Sequence, residues 1–112
     1  MHTIEFSNGN EVARVVIISA SREQVNLMMD EQRVVTTVTT YLDFGEAFAS
    51  AFYSLQGTAT LHDIDGNTII NVIFSHRGVS LQFHHPLPEK TLQTDQSHMT
   101  ETMRQIGIWD RL

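Results

Sequence analysis

The sequence predicts an α+β domain: a twisted antiparallel β-sheet of meander form with two α-helices, one of them packed on the sheet. Three observations carry this. Residues 56–84 alternate apolar and polar side chains between turn residues, the period of half-buried strands. Residues 43–55 repeat apolar side chains at helical spacing. The chain has 112 residues and no cysteine, so it is long enough to bury a core as one domain, residues 1–112, without disulfide or zinc staples.

Taken in order, Thr3 to Phe6 and Glu11 to Ser19 read as strands separated by Ser7-Asn8-Gly9-Asn10. Asn and Gly there tolerate positive φ, as a tight turn requires. Residues 23–29, EQVNLMM, fit two patterns. Val25, Leu27 and Met29 alternate as a strand does, whereas Val25, Met28 and Met29 with a Ser21/Gln24 capping box would suit a helix; the alternation favours the strand. Val34 to Leu42 is rich in Val, Thr and Tyr and reads as another strand. The first strand is expected at an open sheet edge, free to pair with another chain.

Asp43 to Leu55 reads as a helix. Asp43 is placed as N-cap with Glu46 completing a capping box. Phe44, Ala47, Phe48, Ala51, Phe52 and Leu55 form one apolar stripe, and Gly57 lies just past its end. The stripe is expected to pack on the sheet.

The segment HDIDGN, residues 62–67, has the spaced acids of a calcium loop. An EF-hand loop needs glycine at position 6 and glutamate at position 12; counted from Asp63, glycine falls at position 4 and Phe74 at position 12. A hairpin suits the segment better. With Asp65-Gly66 as a two-residue turn, Ile64 pairs with Asn67, Leu61 faces Ile70 and Ala59 faces Val72, all on one side. Thr60 then meets Asn71 on the other side. Gly78 begins a third strand carrying Val79, Leu81 and Phe83, and Pro86 and Pro88 mark an irregular loop. Thr94-Asp95-Gln96-Ser97 opens a second helix, capped by Thr94 or Ser97, with Met99, Met103 and Ile106 as its apolar stripe and Gly107 as its stop. Ile108 and Trp109 are expected to pack down after it.

Chemistry is sparsely encoded. The six histidines show no HxH, HxxxH or HExxH spacing, so no metal site is expected. No GxSxG, GxGxxG or GxxxxGK[ST] motif occurs, and neither a catalytic constellation nor a cofactor is expected. The net charge is −6, and Lys90 is the sole lysine beside six arginines. Without a basic run, nucleic acid is not an expected partner. The longest apolar run, VVII at residues 15–18, is too short to span a bilayer. With no signal-like N-terminus, a soluble cytoplasmic protein is expected and a membrane partner is not. The acidic balance steers the chain toward basic partners.

One longer pattern stands out. Phe48 and Phe52 lead into SLQGTATLHDIDGNTIINVIF (residues 54–74), then RGVSLQF (77–83), then LQTDQSHM (92–99). This resembles the WapI-type family of small immunity proteins, which neutralise polymorphic or contact-dependent toxins in bacteria; the resemblance covers roughly residues 40–106. It implies a protein that binds a cognate protein toxin stoichiometrically and performs no chemistry of its own. A basic nuclease domain is one toxin class that an acidic inhibitor would suit. The resemblance carries over no binding residues. The acids themselves nominate the contacts: Asp30 and Glu31, Asp43 and Glu46, Asp63 and Asp65. The alternative is a small-ligand-binding module with a pocket between the Phe48/Phe52 helix and the sheet, and behind it a hydrolase-like enzyme using His62, His76 or His84.

Overall fold

The computed structural model describes residues 1–107. It is an α+β fold with its strands divided between two four-stranded antiparallel meanders. The first sheet holds β1 (His2–Ser7), β2 (Val12–Ala20), β3 (Gln24–Met29) and β4 (Gln32–Thr37) in that order. The helix α1 (Val38–Ser54) follows, and then the second sheet: β5 (Gly57–His62), β6 (Thr68–Ser75), β7 (Gly78–Phe83) and β8 (Lys90–Thr94). A short 3₁₀ turn (Gln96–Met99) leads into α2 (Thr100–Ile106). No helix among the described residues is long and apolar enough to cross a membrane.

Alternation places each sheet's apolar side chains inward. Ile4, Phe6, Val15, Leu27 and Met29 are buried from the first sheet, and Ala59, Leu61, Val72, Leu81 and Phe83 from the second. Phe6 meets Phe83 edge-on, with ring centroids 5.4 Å apart, and so ties the two inner faces together. The helix α1 lies along β5 and also touches β3, β4 and β6. Phe48 and Phe52 both pack edge-on against Phe74, with centroids 5.3 and 6.5 Å apart.

The strand expected over Val34 to Leu42 ends at Thr37, and the helix begins at Val38 rather than Asp43. Thr37 is extended, and its hydroxyl accepts from the Thr40 amide at 3.0 Å, which makes it the N-cap. The β-branched run Val38-Thr39-Thr40 disfavours helix locally. Tertiary burial overrides it, because helical winding drives Tyr41 into the core at 1 % exposure. Asp43 and Glu46 therefore form no cap and lie on the exposed face of α1. Leu55 leaves the predicted stripe: it ends the helix in the left-handed region at φ 61° and is exposed.

The hairpin register stands, since Ala59 pairs with Val72, Thr60 with Asn71 and Leu61 with Ile70. The two-residue turn does not. A bulge at Ile69 shifts the ladder so that His62 pairs with Thr68, and the loop closes between Asp63 and Asn67. Beyond the expected third strand, β8 adds a fourth. The second helical segment is capped by Asp95, whose carboxylate accepts from the His98 amide, while Thr94 ends β8. Met99 and Ile106 are fully buried, and the Gly107 amide closes on the Met103 carbonyl. Ile108 and Trp109 lie outside the described residues. The first strand is not an open edge. The Glu5 amide donates to Gln105 Oε1 at 2.7 Å, and the Thr102 hydroxyl donates to the Glu5 carbonyl at 2.6 Å, so α2 covers it.

Candidate functional site

The acids Asp30, Glu31, Asp63 and Asp65 come from turns of two different sheets; Asp30 borders one depression and Asp63 and Asp65 another, the two meeting at Pro86, while Glu31 borders neither. Asp30 and Glu31 form the β3–β4 turn, with φ of 49° and 76°. This is a backbone for which Asn-Gly is the favoured pair. Asp tolerates the left-handed region through its short polar side chain, but for Glu31 it costs about 1 kcal/mol. Strand β4 runs away from this turn. Its Val35 carbonyl accepts from the Ile64 amide at 2.9 Å, and its buried Thr36 hydroxyl donates to the His62 carbonyl at 2.6 Å. The loop between β5 and β6 is thus seated on the outer edge of β4.

Within that loop, Asp63 is held inward. Its Oδ1 accepts from the Asp65 and Asn67 amides, both at 2.9 Å, and its Oδ2 from the Asn67 side-chain amide at 3.0 Å. Partial desolvation opposes ionisation of Asp63, but the hydrogen bonds from Asn67, Asp65 and Gly66 outweigh it and hold the carboxyl below its ordinary range. Asp63 therefore builds the loop, and its neighbours are presented outward. Ile64 is 51 % exposed and Asp65 is exposed beside it.

The loop after β7, which contains a cis peptide bond between His85 and Pro86, completes the surface. Pro86 lines two adjoining shallow depressions. One, of about 310 Å³, is bordered by Asp30, Gln32 and Glu89. The other, of about 210 Å³, is bordered by Arg33, Val35, Asp63, Ile64 and Asp65. The exposed isoleucine lies beside Asp63, Asp65 and Arg33 in one depression, and Asp30 and Glu89 border the other. Asp43 and Glu46 border neither depression. Glu89, Ile64 and Pro86 were not nominated by the sequence, and only the prolines marked their loop as irregular.

The remaining candidates are placed as follows. Among the described residues, no group of three His, Cys, Asp or Glu side chains could hold a metal ion. His62 and His76 are exposed and His84 is half-buried; the one histidine in an ion-pair contact among these residues is His98, against Asp95 at 3.0 Å. Phe48 and Phe52 are buried against Phe74 between α1 and the sheet, and a shallow depression of about 590 Å³ lies at the end of α1, bordered by Leu55, Phe74 and His76. A cleft of about 250 Å³ lies at the other end of α1, bordered by His2, Ile17, Val25, Tyr41, Gln105 and Gly107. The Tyr41 hydroxyl is already engaged there, donating to the Ile106 carbonyl at 3.0 Å.

No family model, no curated protein and no solved structure matches the chain.

Proposed function

We propose that this chain is an immunity protein of the WapI-like kind, which binds a cognate bacterial toxin domain one-to-one in the cytoplasm and neutralises it by covering its active site or an adjacent surface. One observation carries the reading: two depressions joined at Pro86 carry acids from separate sheets, Asp30 and Glu89 on one, Asp63 and Asp65 beside the exposed Ile64 on the other. Glu31 keeps a left-handed backbone at a site where glycine is easier, and retained strain of this kind concentrates where a side chain is needed for function. A net charge of −6 supports fast, selective encounter with a basic surface such as a nuclease substrate channel. The motif resemblance over residues 40–106 points the same way.

The test is co-production of the chain with the toxin domain encoded beside it in its source genome, in a sensitive host. Growth should be restored, and the purified pair should elute as a one-to-one complex. Unrelieved toxicity at equal expression, with no complex formed, rejects the reading.

A further inference from the structure

The two sheets differ in how many apolar side chains their outer faces carry. On the second, around the half-buried Ile73, which is paired with Thr58 and Ser80, the side chains of Thr58, Thr60, Asn71, Ser80, Gln82 and Gln93 form an uncharged polar face. It is tied together by cross-strand bonds such as Thr60 to Asn71 at 2.9 Å and Asn71 to Gln82 at 3.3 Å. These groups satisfy one another. On the first sheet the outward positions of the middle strands carry apolar Val16 and Met28 beside polar Arg14 and Asn26. Val16 on β2 is paired directly with Met28 on β3. Met28 is paired with Arg33 on β4, and Val35 lies one outward position further along β4. All three apolar side chains are half-buried, yet they do not belong to the core. No helix among the described residues lies over them: α1 and α2 bury their apolar side chains in the common core, and α2 covers the β1 edge.

The stripe does not end at the sheet edge. Ile64 follows Val35, its amide bonded to the Val35 carbonyl, and both border the same depression. Val16, Met28, Val35 and Ile64 therefore make one continuous apolar track, from the middle of the sheet to the acidic rim. Single exposed apolar residues are ordinary, but contiguous ones with a charged rim mark a contact surface. Met28 at its centre is a side chain that adapts to a partner's shape.

We infer that this track is the apolar centre of a docking surface for a basic partner protein. Met28 and Ile64 act as its anchors, and Asp30, Glu31, Asp65 and Glu89 as its electrostatic rim; the inference rests on the binding role proposed above. Charge complementarity selects the occupant. A second copy of the chain would bring another −6 against the same rim, whereas a surface with an apolar patch ringed by Lys and Arg meets both features. Arg33, which makes no ion pair among the described residues, asks for one acidic group on the partner opposite Met28.

The experiment places a photo-crosslinking p-benzoylphenylalanine at Met28, and separately at exposed Thr58 on the outer face of the second sheet, in cells that naturally make the chain. The expected result is a one-to-one adduct from position 28 alone, with a protein whose contact face is basic. With that protein purified, Met28→Glu and the loop variant Ile64→Glu should each weaken binding at least tenfold while the melting temperature stays close to that of the parent. If the captured protein has no toxic activity, the surface stands and the immunity reading falls. If a toxin is bound but both variants keep parental affinity, the immunity reading stands and this surface is wrong. An adduct with a second copy of the chain, no adduct at 28, or equal adducts at 28 and 58 also overturns it.

Discussion

Asp63 and Asn67 lock the loop between β5 and β6 from both ends. The Asp63 amide donates to the Asn67 carbonyl, and the Asp63 carboxylate accepts both amides of Asn67, backbone at 2.9 Å and side chain at 3.0 Å. This pair fixes where Ile64 and Asp65 point. Asp63→Ala is expected to lower stability by about 1–3 kcal/mol, the cost of leaving donors of a folded loop unpaired. Asn67→Ala should lose less, since the backbone bonds remain. Denaturant titration of the three proteins checks both.

The same carboxylate gives an acid-side pH dependence. Its folded value lies below the ordinary 3.8, so its contribution is complete above that value and disappears as pH falls through the lower, folded one. Asp95 acts with the same sign, its carboxyl lowered first by the Ser97 hydroxyl and then by His98. Unfolding free energy measured from pH 5 to 2 should fall less steeply in Asp63→Asn than in the parent. Parallel curves would reject the role assigned to Asp63.

Tyr41 supplies the opposite limb. Burial pushes its hydroxyl well above the ordinary 10, so its contribution is complete below pH 10 and is lost as pH rises beyond it. Tyr41→Phe should cost about 1–2 kcal/mol at neutral pH, because the Ile106 carbonyl loses its partner, and should remove much of the alkaline loss. Thermal melts at pH 7 and pH 11 separate the two effects.

The Asp30-Glu31 turn offers a trade. Glu31→Gly relieves a left-handed glutamate at φ 76° and should raise stability by about 1 kcal/mol. It also removes one acid from the proposed rim, so association with a basic partner should slow at low ionic strength, and the difference should shrink as salt is added. Denaturation and stopped-flow association are the two readouts.

Phe48 is fully buried and stands edge-on to Phe74. Phe48→Ala should cost about 3–5 kcal/mol, the usual range for emptying a buried phenylalanine site. Single domains have about 5–15 kcal/mol in total, so the variant should melt far below the parent or fail to accumulate.

Local pattern carried most of the elements. The alternation of Val79, Leu81 and Phe83, the register of Ala59 with Val72, and the Phe44–Phe48–Ala51–Phe52 stripe all follow from side-chain period alone. That period decides which face each residue can bury. The errors have a common cause. Val38 to Leu42 reads as strand by composition, but Thr37 caps a helix there and Tyr41 is buried with its hydroxyl bonded to the Ile106 carbonyl of α2, 65 residues away. The bulge at Ile69 has no signature in HDIDGN, because it answers to the packing of Ile69 and Ile70 together.

The candidate surface was legible only in part. Asp30, Glu31, Asp63 and Asp65 were visible as turn acids, yet their shared location was not, nor was the continuity of Val16, Met28, Val35 and Ile64. By itself the sequence determined the fold class, the acidic charge and the register of β5 on β6 from Ala59 with Val72 to Leu61 with Ile70, the last because it depends on neighbours a few residues apart. Only the tertiary structure decided that the strands form two sheets, that α2 covers the β1 edge, and that Ile64 extends the outer face of β4. Those outcomes rest on contacts such as Val35 with Ile64 and Glu5 with Thr102, between residues far apart in the chain, and no local period encodes which distant surfaces meet.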